Sequence, residues 1–128
     1  MRLLLDTHTL LWVLEDNPRL SRRAAEALDA VETEKLVSAV SAYEICLKFR
    51  LGKLPGSAAL AEAFEATIAE IDCTPLSISL AHASLAGSLE IPHRDPFDRL
   101  LIAQARIERV PIVSNETLFD AFGVERIW

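Results

Sequence analysis

The sequence predicts an α/β fold in which a short parallel β-sheet is flanked by α-helices, and three observations carry that expectation. Short apolar runs recur at Leu3–Leu5, Leu36–Val37 and Ile112–Val113, each too brief for a helix. They are apolar on consecutive residues rather than on alternate ones, as strands buried on both faces are. Between them lie longer segments with apolar residues at helical spacing. Strands that alternate with helices return by crossovers and pair in parallel.

The elements follow in order. Leu3–Leu5 stops at Asp6, and Leu10, Leu11 and Leu14 then mark a first helix from Thr7 that ends at Asn17-Pro18. Ser21 is placed to cap a second helix reaching about Val31, with Ala24, Ala25 and Leu28 on one face. After the strand Leu36–Val37, Ser38 or Ser41 caps a third helix through Tyr43, Glu44, Ile45 and Leu47, closed by Gly52 and Pro55. Ser57 is expected to open one alanine-rich helix to about Ile71. Thr74–Leu76 reads as a brief strand, and Ser77 or Ser79 starts a helix to about Leu89. Pro92 to Pro96 is a polar break before a helix from Pro96 or Phe97 to Glu108. Ile112–Val113 ends at Ser114-Asn115-Glu116, where a short helix begins, and Val124–Ile127 is a terminal strand. No repeat or composition shift divides the chain, so residues 1–128 are expected to form a single domain.

Half of the residues (51%) are apolar and a quarter (25%) charged, which suits one packed core and excludes a disordered chain. The net charge of −6 excludes a broad basic face for nucleic acid but leaves open a local site built from acids. Cys46 and Cys73 have no partner at zinc-ligand spacing and read as small buried hydrophobes. The apolar N-terminus is interrupted by Asp6 and His8 and carries no small-residue cleavage site, so a cytoplasmic, non-membrane protein is expected.

The functional signal lies in a set of acids. Asp6, Glu44, Asp95, Asp98 and Glu116 each stand at a strand end, at a helix start or within an apolar helix. Singly, each has a structural explanation: Asp6 and Asp95 as caps, Glu44 in an i,i+4 pair with Lys48, Asp98 paired with an arginine, Glu116 in a favourable helix dipole. Jointly they form a cluster whose charges require a cation, and hard oxygen donors select Mg²⁺ or Mn²⁺. In open parallel sheets ligands sit at the carboxyl ends of the strands, where Asp6 and Glu116 fall.

Four blocks in this order, LLLDTHTLLW, SAVSAYEICLKFRLGKL, HRDPFDRLLIAQA and IVSNETLFDAFGV, resemble the successive motifs of PIN-domain ribonuclease toxins of the VapC family. The resemblance spans essentially the whole chain, and the third block is its most specific part. It implies a PIN-like three-layer fold with Asp6, Glu44 and Asp98 as the metal-site acids. The fourth block departs from the usual T-x-D: it reads Ser114-Asn115-Glu116, and the longer glutamate acts either directly or through water. Asp95, Thr7, Ser114, Arg94 and Arg99 are candidates to support those acids or to touch substrate. Lys48, Arg50 and Lys53 are either a solvated helix end, an RNA track or a dock for a partner.

The activity implied is that of an Mg²⁺-dependent endoribonuclease, with Mn²⁺ able to substitute, in which metal-activated water cleaves RNA to leave a 5′-phosphate and a 3′-hydroxyl. The partners implied are RNA, a VapB-type antitoxin and a second copy in a homodimer. A metal-dependent phosphatase, a DNA nuclease and a non-catalytic binding module whose acids only cap helices remain alternatives at this point.

Overall fold

The computed structural model describes residues 1–128. Five strands, β1 (Arg2–Leu5), β2 (Glu34–Ser38), β3 (Cys73–Leu76), β4 (Ile112–Val113) and β5 (Arg126–Ile127), form one sheet in the order β3-β2-β1-β4-β5. Every pairing is parallel. Seven helices connect and cover it: α1 (Thr7–Glu15), α2 (Arg22–Asp29), α3 (Ala39–Arg50), α4 (Ala58–Glu62), α5 (Phe64–Glu70), α6 (Leu80–Ser88) and α7 (Pro96–Glu108). A 3₁₀ turn, Thr117–Ala121, joins β4 to β5. No helix is long and apolar enough to cross a membrane.

The continuous apolar character of β1 follows from burial on both faces. Leu3 and Leu5 point into one core with Leu10, Leu28, Ile45 and Ile68, while Leu4 points into the other with Leu36, Leu101, Ile102 and Phe119. The chain builds outward from β1 to β2 and β3 on one side, then returns to β4 and β5 on the other. The strand order therefore reverses between β1 and β4, and a crevice opens at their carboxyl ends. Leu5 pairs with Val37 and with Val113, so the residues that leave this central edge together are Asp6, Ser38 and Ser114.

A buried polar chain fixes the second core. Ser38 Oγ accepts from Val40 N at 3.0 Å, capping α3, and donates to Gln104 Oε1 at 2.5 Å. Gln104, wholly buried, donates from Nε2 to the Ser77 carbonyl at 3.3 Å. His82 Nδ1 accepts from Ser79 N at 3.0 Å, which places the ring proton on Nε2, facing Glu108 at 3.2 Å. His82 is thus a buried cap of α6 in a reciprocal box with Ser79.

The helix expected from Ser57 to Ile71 is broken in two at Ala63 (φ −144°, ψ 63°). Thr67 Oγ1 takes the Ala63 carbonyl at 2.8 Å and reaches the Ala59 carbonyl at 3.3 Å, and the bend keeps both Leu60 and Ile68 in the core. Ser57 makes no side-chain cap there. Cys73 is buried and burial pushes its thiol up, so it is an inert core group; Cys46 is only half-buried. Neither cysteine is in a disulfide.

Gln104→Ala opens a cavity and strands the hydroxyl that caps α3. The expected loss is about 2–4 kcal/mol in denaturant unfolding. A loss below about 1 kcal/mol would show that the chain from Ser38 to His82 does not hold the two layers together.

Candidate active site

The crevice at the carboxyl edge is a cleft of about 310 Å³. Its walls come from β1 and the start of α1 (Asp6, Thr7, His8), the middle of α3 (Glu44, Lys48), the start of α7 with the loop before it (His93, Asp95, Asp98, Leu101), and the turn after β4 (Glu116, Leu118). The acids spread over some 110 positions of sequence thus line one space.

Asp6 is held twice. Its backbone N–H donates to the Val113 carbonyl at 3.2 Å, docking the strand end onto β4. Its Oδ1 caps α1 by accepting from Thr9 N at 2.8 Å, and its Oδ2 accepts a short hydrogen bond from Ser114 Oγ. The Ser114 hydroxyl has one proton, given to Asp6, and its lone pair accepts from Glu116 N at 2.9 Å. One buried serine thereby ties the first acid to the fourth. The Ser114 carbonyl is in turn gripped by Arg126 at 3.1 Å, while the same guanidinium bonds Asp120 and holds that carboxyl below its ordinary range. Thr7, buried, pairs its hydroxyl with Ser41 at 3.0 Å and joins the start of α1 to α3.

Glu44 projects from α3 with a side chain only 12% exposed, and its Oε2 meets Lys48 Nζ at 2.5 Å. Lys48 is the one lysine or arginine among the residues lining the cleft. Asp98 Oδ2 is 2.7 Å from His93 Nε2. Burial is the largest influence on the Asp98 carboxyl and raises its pKa, with the neighbouring Asp95 and Glu44 charges adding to the rise and His93 opposing it. Asp95 caps α7 through Oδ1, accepting from Phe97 N at 2.8 Å and Asp98 N at 3.3 Å. Its carboxylate lines the cleft while serving the helix. Glu116 is exposed and lines the cleft from the turn after β4.

The profile of the PIN domain matches residues 3–125 of this sequence. The chain belongs to the PIN domain family. No curated protein is similar enough in sequence to match it. Among solved structures, this PIN domain superposes on VapBC2 from Rickettsia felis bound to a fragment of promoter DNA, with a TM-score of 0.70, 13% identity and 100% of both chains covered. A toxin–antitoxin complex from Klebsiella pneumoniae matches with a TM-score of 0.67, 18% identity, and 98% and 95% of the two chains covered. FitAcB from Neisseria gonorrhoeae gives 0.65, 20%, and 97% and 95%. At these identities the likeness is one of fold.

The donor set in the cleft suits a hard divalent cation, because every candidate ligand atom is a carboxylate oxygen. Asp98 Oδ1 and Glu44 Oε1 accept no hydrogen bond from the protein, while their partner oxygens are engaged by His93 and Lys48. No three acidic, histidine or cysteine groups are gathered into a finished cage.

Two sequence expectations change. Arg99 neither pairs with an acid nor faces the cleft: its guanidinium is spent on the backbone carbonyls of Ala86, Leu89, Ile91 and His93. Asp98 pairs with His93, not with an arginine. Arg94 is exposed and makes no hydrogen bond. His93 as the partner of Asp98, and His8 as a lining residue, lack a motif of their own. His93 sits five residues before Asp98, a spacing that a helix would not bring together and that only the loop's path makes close.

A carboxyl whose pKa is raised by folding adds stability that is whole below its unfolded value of 3.8 and is lost as pH climbs through the raised folded value. Asparagine at position 98 cannot ionise. In chelator, the stability of wild type minus that of Asp98→Asn is therefore expected to fall as pH rises above 3.8 and to level off once the carboxyl has ionised in the folded state. A difference that grows with pH would mean that Asp98 is stabilised as the anion.

Proposed function

We propose that this PIN domain is a divalent-metal-dependent endoribonuclease and the toxin of a VapBC-type toxin–antitoxin pair. The observation that carries the nuclease reading is the convergence of Asp6, Glu44, Asp98 and Glu116, from four separate segments, on one cleft at the point where the strand order reverses. Caps alone do not explain this set. Glu44 lies inside a helix and caps nothing, and Asp98 is half-buried in its first turn.

Asp6, Glu44 and Asp98 are the residues that would hold Mg²⁺ or Mn²⁺, with Glu116 beside them directly or through water. The cation would supply a water of lowered pKa and positive charge against the phosphate's developing charge. The protein's own groups do the rest. Ser114 and the Thr9 amide fix both oxygens of Asp6, so its position does not depend on a bound ligand. His93 orients Asp98. Lys48 places a positive head beside Glu44, where it offsets the carboxylate and meets an incoming phosphodiester. Water as the nucleophile leaves the ribose 2′-OH uninvolved, so a 5′-phosphate and a 3′-hydroxyl are the expected ends.

The partner reading is drawn from the matched structures, which hold toxin–antitoxin complexes such as that from Klebsiella pneumoniae. A VapB-type antitoxin would cover the cleft and supply the basic groups that an acid-lined site attracts, and a homodimer of the toxin is part of the same reading. Cytoplasmic location follows from an RNA target.

Single-stranded RNA incubated with Mg²⁺ is expected to be cut by wild type, and Asp98→Asn or Glu44→Gln is expected to slow this by more than about a hundredfold with the fold retained. Products ending in a 2′,3′-cyclic phosphate, or undiminished cleavage by Asp98→Asn, would overturn the mechanism. Expression of the chain alone should arrest growth of a bacterial host, with relief on co-expression of the neighbouring open reading frame. Normal growth with soluble wild-type protein, active on RNA when purified, would remove the toxin reading.

A further inference from the structure

Arg99 is the most heavily committed polar side chain near the cleft, and none of its bonds reaches the cleft itself. From α7 it sends Nε to the Ala86 carbonyl at 3.0 Å and its two terminal nitrogens to Leu89 at 2.6 Å, His93 at 2.9 Å and Ile91 at 3.4 Å. Ala86 and Leu89 belong to the last turn and cap of α6, whose end carbonyls lack partners within the helix and carry its partial negative charge. Ile91 and His93 lie in the irregular crossing to α7. A planar guanidinium with five donors can span carbonyls pointing in from several directions; an ammonium cannot.

The last of these contacts gives the clamp a role in the site. His93 is held at both of its ends by adjacent residues of one helical turn: its carbonyl by Arg99 and its imidazole Nε2 by Asp98 Oδ2. The ring can stay aimed at Asp98 only while the loop that carries it keeps its path, and no backbone ladder fixes that path. We propose that Arg99 is a positioning residue: by clamping the 89–93 crossing it fixes His93, which in turn sets the orientation of Asp98 with Oδ1 turned free. The proposal rests on the reading of Asp98 as a metal-site acid and deepens it.

The test is a cycle of Arg99→Lys, His93→Ala and the double variant, all folded as judged by thermal unfolding. Should Arg99→Lys fail to fold, Arg99→Gln, which keeps part of the fork, is measured in its place. In metal-free protein the hydrogen-bonded Nε2–H resonance of His93, identified by its loss in His93→Ala, is expected in wild type and absent or broadened in Arg99→Lys. In Mn²⁺ titration calorimetry, His93→Ala is expected to bind about tenfold more weakly than wild type, and Arg99→Lys by a similar factor. The double variant is then expected to be no weaker than His93→Ala alone, because the two residues act through one contact. An intact His93 resonance in Arg99→Lys, wild-type Mn²⁺ affinity in that variant, or losses that multiply in the double variant would each overturn the positioning role. Failure of wild type itself to bind Mn²⁺ would instead overturn the metal reading of the cleft, and it is visible before any variant is made.

Discussion

Five carboxylates line one cleft and repel one another, and taking any of them out of water without a partner is costly. The rest of the site is arranged around that constraint. Asp6 is met by a serine hydroxyl and a helix-start amide, Glu44 by Lys48, Asp98 by His93, and Asp95 by the amides it caps. These four acids each have a donor, and the donors come from elements that the fold must bring together anyway; the exposed Glu116 carboxylate accepts no hydrogen bond from the protein. The parallel register of β1 with β4 is what sets Asp6 beside Ser114, and a one-residue slip in that pairing would turn every side chain of β1 to the wrong face.

The chain carries a net charge of −6, yet the cleft contains a lysine and two histidines among its acids. A bound divalent cation would reverse the local balance without any basic face elsewhere.

The strands were legible because burial on both faces leaves a short, unbroken apolar run, as at Leu3–Leu5 and Ile112–Val113. The cap at Ser21 was legible, and those at Ser38 and Ser79 were legible as one of two neighbouring serines each, because a cap's role is local. What stayed hidden depends on contacts distant in sequence. Nothing local marks Ala63 as a break, since the hydroxyl that takes its carbonyl comes from Thr67 and the burial of Leu60 and Ile68 decides the bend. Arg99 beside Asp98 reads as an ion-pair or phosphate ligand until the end of α6 is seen to pack against it. Gln104 and His82 carry no local mark of burial, yet Gln104 is held by Ser38 of β2 and the Ser77 carbonyl, and His82 by Ser79 and Glu108. The acids of the cleft were visible as a set through their order and their motifs, and the local partners were legible too: the Glu44–Lys48 pair and the caps made by Asp6 and Asp95; hidden were the distant ones, Ser114 for Asp6 and His93 for Asp98.

Thermal unfolding of wild type and Asp6→Asn, in chelator and in several millimolar Mn²⁺, tests most directly whether these acids form a metal site or a group of unrelated caps. Asparagine caps a helix about as well as aspartate, so α1 should survive the change and metal-free Asp6→Asn should stay folded. Wild type should melt several degrees higher with Mn²⁺ than without it, because a ligand that binds only the native state stabilises it, and Asp6→Asn should lose most of that gain. A wild type indifferent to Mn²⁺, or an Asp6→Asn variant that keeps the full metal shift, would contradict a metal site built on the first acid of the cleft.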